Sequence, residues 1–488
     1  MYKSILQFCK NGIPALNEIS DHFFENPADI AGFVGDVQAQ IIRLGCDFLS
    51  EMFTMMDDMI RESGLRKQSW EIVRRDRKTM ITSLGTIDFH KTMYKHKKNG
   101  ERTYLLDRVL EIEENSRISE DAEAQLLAEA VQTSYARAGN AVSLSDSVSK
   151  STVKNKVHGL EFPPQERKET DKKQVKYLYI DADEAHIPLQ FPEETGDIGS
   201  GKDKEVNNTV LSKLIYVYEG IEADAPKSKR YHLINPHYFG GVYKGKENAV
   251  LWEEVYDYIE SKYDLERVER IYLNADGGKW ITAGKRAIHG IITVLDAYHL
   301  NKYLTSMTSH LCDSKEDGKA LLREAIKNGT KNDFELVTER LMGYTEDEKT
   351  VERIQTGARY IKNNWTAAKV RMQRRNGVVG SSTEAHVSHV LALRMSTRPM
   401  GWSLRGADRM ARLRIYVWNK GNLLDLVRYQ KKRHIAQRSE EKVYSAEDIL
   451  RWEREKNRTD DKFYACLQHS IDPQVRKKLA IRERLLVV

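Results

Sequence analysis

Acidic residues fall at unusual places in this sequence. Tyr179-Ile180-Asp181-Ala182-Asp183-Glu184-Ala185-His186 sets acids into an apolar, strand-forming run. A second such run, Ile271-Tyr272-Leu273-Asn274-Ala275, ends on Asp276 followed by Gly277-Gly278. Side chains alternate along a strand, so Asp181 and Asp183 share one face and Glu184 takes the other. An acid in an apolar strand is costly to bury unless it is paired or bound to metal. Two such acids on separate strands of one sheet could share a divalent cation, and hard oxygen ligands suit Mg²⁺ or Mn²⁺. Asp276-Gly277-Gly278 on its own also reads as a turn.

A third acid opens a late helix. In Gly380-Ser381-Ser382-Thr383-Glu384-Ala385-His386-Val387-Ser388-His389, Ser381 or Ser382 can cap the helix, which puts Glu384 in its first turn. That position either completes half a capping box or presents a carboxylate to a metal. His386 and His389 have no third nitrogen or sulfur ligand at zinc spacing. Asp296, in Val294-Leu295-Asp296-Ala297-Tyr298-His299-Leu300, follows another strand and reads as a helix N-cap. His299 lies one turn later, where it could hydrogen-bond toward the sheet end, although a satisfied structural histidine is the commoner reading of such a position.

The segment 135–158 has the pattern of a helix-turn-helix, and a plain helical hairpin fits it as well. A first helix from Tyr135 leads through Leu144-Ser145-Asp146 to a recognition helix starting near Val148. Val148, Val153 and Val157 would face a core. Lys150, Ser151, Thr152, Lys154, Asn155 and Lys156 would face outward, and these are base- and phosphate-contacting types. Late in the chain, Lys362, Lys369, Arg371, Arg374, Arg375, Arg394, Arg398, Arg405, Arg409, Arg412 and Arg414 are interleaved with Trp365, Trp402 and Trp418. Such a segment could neutralise phosphates, although a charge run is more often a solvated helix face.

The elements that must position these residues follow from the wider pattern. The chain has 488 residues, 78 Lys+Arg against 72 Asp+Glu, and 40% apolar residues. That length predicts two to four structural units, and the small positive excess permits nucleic-acid binding without demanding it. No apolar run is long enough to span a membrane. The start lacks the apolar region and cleavage site of a secretory signal. The four cysteines form no CxxC pair, so a reducing cytoplasm is expected rather than a disulfide scaffold.

Helical spacing predicts a helical region over 1–75, and β-rich runs around KKNGE predict a small hairpin region over 76–115. Residues 116–160 return to helix and hold the helix-turn-helix candidate. Residues 161–174 read as a charged, proline-containing linker. Strands and helices mix over 175–302, and 303–376 is helical without strands. A helix carrying Glu384 follows in 377–415, and a basic, mostly helical tail runs over 416–488.

These segments in this order resemble a known family. DAD on a first strand, ADGG after a later strand, LDAYHLNKYL and then EAHVSHVLALRMSTRPMGWSLRGADRMARLR are similar to the insertion-sequence transposases of the ISLre family. That is an uncharacterised-protein family related to the Mutator-like DDE transposases. The resemblance implies an α/β catalytic core, an RNase H-like mixed five-stranded sheet, interrupted by an all-helical insertion and preceded by a mostly helical DNA-binding region. It carries the catalytic and metal-binding roles onto Asp183, Asp276 and Glu384, with two Mg²⁺ or Mn²⁺ ions. Asp181 remains an alternative to Asp183. His299 is left with positioning of the acids or of the DNA end.

The implied activity is metal-dependent strand cleavage and strand transfer on double-stranded DNA, both element terminal repeats and target. The protein would act as a homo-oligomer in a bacterial cytoplasm, on the nucleoid when bound. A DNA-binding protein without catalysis and a structure-selective nuclease on the same fold are the competing readings.

Overall fold

The computed structural model describes residues 2–113, 115–164, 172–190, 208–228, 230–278, 280–374, 377–380, 383–397 and 400–436. Ser381, Ser382, Arg375, Arg398, most of the polar loop expected over 197–208 and the tail beyond 436 lie outside the described residues. The chain divides into two compact units. One comprises 1–126, 138–149 and 427–488, the other 127–137 and 150–426.

In the first unit a long helix, α1 (Ile30–Glu62), packs on a three-stranded sheet. Asp29 caps α1 by accepting from the Gly32 N–H at 2.9 Å, which satisfies one of the free donors at the helix start. The strands β1 (Trp70–Ile81), β2 (Thr86–His96) and β3 (Arg102–Tyr104) are all antiparallel neighbours in the order β1-β2-β3. Ile60 of α1 shares a core with Trp70, Met80, Ile87, Phe89 and Tyr94. Buried Asp57 of α1 accepts from the Thr92 N–H (2.8 Å) and hydroxyl (2.7 Å), which fixes the helix to β2.

The hairpin around KKNGE forms between β2 and β3, but its larger partner β1 begins at Trp70, inside the segment expected to be helical. Arg74-Arg75-Asp76-Arg77-Lys78 hides this strand, because charges on both faces erase the two-residue alternation. Ion pairs absorb several of them, including Arg77 with Asp88 across the hairpin.

The second unit is mixed α/β. It begins with α2 (Lys150–Gly159) after its short leading segment. Its five-stranded sheet comprises β4 (Tyr177–Pro188), β5 (Thr209–Tyr218), β8 (His237–Gly241), β9 (Arg270–Ala275) and β10 (Ile292–Leu295). A separate two-stranded ribbon, β6 (Gly220–Ala223) with β7 (Tyr231–Ile234), lies between β5 and β8 in sequence. The sheet order is β10-β9-β4-β5-β8. β5 is antiparallel to β4 and to β8, while β9 is parallel to β4 and β10 parallel to β9. Parallel neighbours need a crossover. Helix α3 (Glu247–Lys262) lies on the route to β9 and buries Leu251, Trp252, Val255 and Ile259 against Leu178, Ile180, Ala182 and Leu273 of the sheet.

After β10 come α4 (Ala297–Thr308), α5 (Lys315–Asn328), α6 (Lys331–Met342), α7 (Glu348–Asn363) and α8 (Trp365–Gln373). They share a core of Leu300, Leu304, Met307, Leu322, Ile326, Phe334, Ile354 and Ile361, joined by Leu295 from the end of β10. The chain then returns to the sheet through α9 (Thr383–Val387), which continues as a π-helical turn over Ser388–Ala392, and α10 (Leu404–Trp418).

Candidate active site

Strand alternation divides the sheet into two chemically different faces. Leu178, Ile180 and Ala182 point toward α3, while Tyr179, Asp181 and Asp183 point the other way. That second face is aromatic: Tyr179 stacks on Tyr218 and Tyr272, with ring centroids 5.3 and 5.7 Å apart.

Asp181 is fully buried in this face, and its carboxylate accepts four hydrogen bonds from the described residues. The donors are Asn274 Nδ2 (2.6 Å), Tyr216 OH (2.8 Å), Tyr218 OH (3.1 Å) and Thr383 Oγ1 (3.2 Å). Burial pushes its pKa up to about 6 against those four donors. A carboxylate so engaged has little left to offer an ion, so Asp181 reads as an internal anchor.

Asp183 is different. Among the described residues its one hydrogen bond comes from the Glu184 N–H at 2.8 Å. The parallel register of β4 and β9 pairs Asp181 with Asn274 and Ala182 with Ala275. The next residues along the two strands' paths are Asp183, inside β4, and Asp276, just past the end of β9, so the two acids follow adjacent paired positions. Burial pushes the Asp183 carboxyl up to about 7, and repulsion from Asp276 and Glu384 adds to it. The Glu184 N–H and His299 act in the opposite sense. The other two acids singled out by sequence, Asp276 and Glu384, thus lie within electrostatic reach of Asp183.

Each acid is held by its own local structure. The Asp276 side chain accepts from the Gly278 N–H (2.8 Å), which is the turn expected of Asp-Gly-Gly. Its carbonyl accepts from Tyr360 OH of α7 (2.5 Å). Gly277, at φ +96°, lets this turn sit against Asn364, whose Oδ1 would lie 2.6 Å from an added Cβ. Glu384 is exposed in the first turn of α9, next to Thr383, which is tied to Asp181.

Asp296 is the N-cap of α4, accepting from the His299 N–H at 3.0 Å, and it also contacts His299 Nδ1 at 3.2 Å. That contact, the largest influence, raises the His299 pKa, and Asp276 and Asp183 reinforce it.

The donor set has the chemistry of a hard-cation site, carboxylate oxygens whose mutual repulsion an ion would relieve. The side chains stand apart, however: among the described residues no three His, Cys, Asp or Glu side chains lie close enough together to hold one ion.

A model of the uncharacterised protein family UPF0236 matches residues 24–433. The chain belongs to UPF0236. A UPF0236 protein of Caldanaerobacter subterraneus subsp. tengcongensis is 34% identical over 431 residues, covering 88% of this chain and 86% of the relative. Another from the same organism, 33% identical over 431 residues with the same coverages, carries eleven locus designations in its name. Among solved structures, the Drosophila P element transposase strand transfer complex covers 67% of this chain and 85% of its own, at 12% identity and a TM-score of 0.22. That likeness is too slight to carry an argument.

Several residues of this UPF0236 chain that build the site carry no signal in sequence alone. Arg371 stood in the run expected to meet phosphate, but it is buried. Its guanidinium donates to Asn274 Oδ1 (2.5 Å), the Leu295 carbonyl (2.8 Å) and the Val379 carbonyl (2.6 Å). It thereby ties the ends of β9 and β10 to the segment that leads into α9.

Arg394 and Arg414 are likewise buried, each donating to backbone carbonyls. Arg412 pairs with Asp408, and Lys362 pairs with Glu335. The late basic density is therefore largely structural. Glu184, assigned to the face away from Asp183, is a fourth acid of this neighbourhood. Burial, then Asp276, raises its pKa, and its Oε2 is buried without a hydrogen-bond partner among the described residues.

Helix α2 starts at Lys150, so Val148 precedes it rather than joining its apolar face. Val153 and Val157 are buried. Lys150, Ser151, Lys154 and Asn155 are exposed, whereas Thr152 and Lys156 are half-buried. No helix among the described residues is long and apolar enough to cross a membrane.

Proposed function

We propose that this UPF0236 protein is a DDE-type transposase of a bacterial insertion sequence, cutting element ends and joining them to target DNA. The observation that carries the reading is the register of β4 with β9, which sets Asp183 beside Asp276, with Glu384 within electrostatic reach. The sheet supports an RNase H-like reading of the catalytic core. Counting β4, β5, β8, β9 and β10 as first to fifth, the acids fall on the first strand, after the fourth and on a late helix. Eleven locus designations for one relative add independent support, since a gene repeated through a genome is what a self-propagating element leaves behind.

Asp183, Asp276 and Glu384 would hold the Mg²⁺ or Mn²⁺ ions. Such ions, when bound, supply charge stabilisation to an in-line displacement at phosphorus. In the first step the oxygen of water bonds to phosphorus and the bond to the 3′ oxygen breaks, leaving a free 3′-OH. In the second, that 3′-OH bonds to a target phosphorus and displaces a target 3′ oxygen, which leaves as a hydroxyl.

No side chain forms a covalent bond, so the chain's own work is positional. Asp181, Asn274 and Arg371 hold the sheet end, Thr383 fixes the start of α9, and Tyr360 holds the Asp276 turn. His299 lies near Asp276 and Asp183 and positions the acids. The face of α2 formed by Lys150, Ser151, Thr152, Lys154, Asn155 and Lys156 is assigned to DNA, and pairing of two ends calls for a homo-oligomer.

The test is incubation of the full chain and Mg²⁺ with labelled DNA taken from the flanks of its gene. Joined products support the reading. Binding without cleavage replaces it with a regulator, and cleavage without joining replaces it with a nuclease.

A further inference from the structure

A cavity of about 490 Å³ opens beside the Asp276 turn. Its walls come from the end of the sheet (Gly277, Thr293), from Lys285, and from α6–α8 and their junctions (Lys331, Lys362, Trp365). Among the described residues no acidic side chain lines it. Lys285 and Lys331 are exposed and make no ion pair among the described residues, whereas Lys362 is paired with Glu335. Trp365 is half-buried, one side against Phe334 at a centroid distance of 5.7 Å. The cavity thus combines two uncommitted cations, a flat aromatic surface and backbone polar groups at a glycine turn.

We propose that this cavity is a subsite for one unpaired nucleotide of a DNA strand, with its phosphate on Lys285 and Lys331 and its base against Trp365. The volume lies in the small-ligand range, which admits a nucleotide and excludes a duplex. Cationic side chains beside an aromatic ring are the general chemistry of single-strand binding. The site adjoins Asp276, so the nucleotide held there belongs to the strand whose phosphate reaches the carboxylates. The inference rests on the transposase reading for that adjacency and on the cavity itself for the ligand.

The experiment uses the full chain and a fluorescent oligothymidylate containing 4-thiothymidine. Affinity is read by anisotropy across salt concentration, and the photo-crosslinked peptide is mapped. The expected result is a crosslink within 277–293 or 362–370. The double variant Lys285→Ala/Lys331→Ala should bind about tenfold more weakly, with the log–log salt slope flattened by about 0.7, the contribution of one phosphate contact on a single strand. Both lysines are exposed, so the melting temperature should hold.

Unchanged affinity and slope, with crosslinks only elsewhere, overturn the proposal even if the protein cuts DNA. Weakened binding and a crosslink at the cavity in a protein that never cuts DNA leave the subsite standing and remove the transposase reading.

Discussion

The Thr383 hydroxyl donates to the Asp181 carboxylate over 3.2 Å, tying the first residue of α9 to the middle of the central strand. Glu384 is the next residue, so its position relative to Asp183 is set through a buried contact between residues distant in sequence. The catalytic acids of the proposed site are exposed or half-buried, while the group that aligns them is wholly buried.

Asp181→Ala is therefore expected to act through stability. It strands the donors of Tyr216, Tyr218, Asn274 and Thr383, at a cost of about 3 kcal/mol or more. Thermal or urea unfolding should show this. Thr383→Val, which keeps the shape and removes one donor, should cost about 1 kcal/mol while lowering DNA cleavage more than its stability loss explains. An undiminished cleavage rate in Thr383→Val would remove the positioning role.

Asp183→Asn should move stability the other way. Burial and the neighbouring Asp276 and Glu384 oppose a charge at this position, and the amide keeps the shape without it. The melting temperature in metal-free buffer should rise by a few degrees while cleavage is abolished. A fall in melting temperature would mean that the carboxylate is a structural partner like Asp181.

Acid sensitivity should come in part from His237. Its ring stacks on Tyr258 at 4.2 Å, and burial, with Lys262 nearby, lowers its pKa to about 4. The folded pKa lies below the ordinary 6.5, so the neutral ring is stable in the fold above that range. As pH falls from about 6.5 to 4 the unfolded chain takes up the proton first and stability drops, by up to about 3 kcal/mol. His237→Phe should flatten the melting temperature across that window, and an unchanged slope would exclude His237 as its source.

On the exposed side of α2, Lys150→Ala and Lys154→Ala should each weaken duplex DNA binding. Each should flatten the salt dependence by about one unit of log–log slope. Asn155→Ala should instead reduce discrimination between element-end and unrelated DNA. Binding curves over a salt series decide this, and salt slopes equal to wild type would move the DNA surface off α2.

How much of this was legible in the sequence depends on the range of the interaction. Asp183, Asp276 and Glu384 announce themselves locally, as acids inside or at the ends of apolar runs, and the strand–helix order around them could be read from periodicity. The choice between Asp181 and Asp183 could not, because alternation puts both on one face. The distinction lies in Tyr216, Tyr218, Asn274 and Thr383, which reach Asp181 from other elements. Arg371 misled for the same reason, since an arginine in a basic run looks solvated until the strand ends that bury it are in place. The strand β1 was concealed by charge on both faces, and its pairing is fixed by β2 rather than by its own pattern.

The most direct measurement is Mn²⁺ binding to the full chain, by calorimetry or paramagnetic resonance, in wild type and in Asp183→Asn, Asp276→Asn and Glu384→Gln. The account predicts saturable binding in the wild type that each substitution weakens by at least tenfold while the variant remains folded. Wild-type affinity in all three variants, or no binding with DNA present, would contradict it.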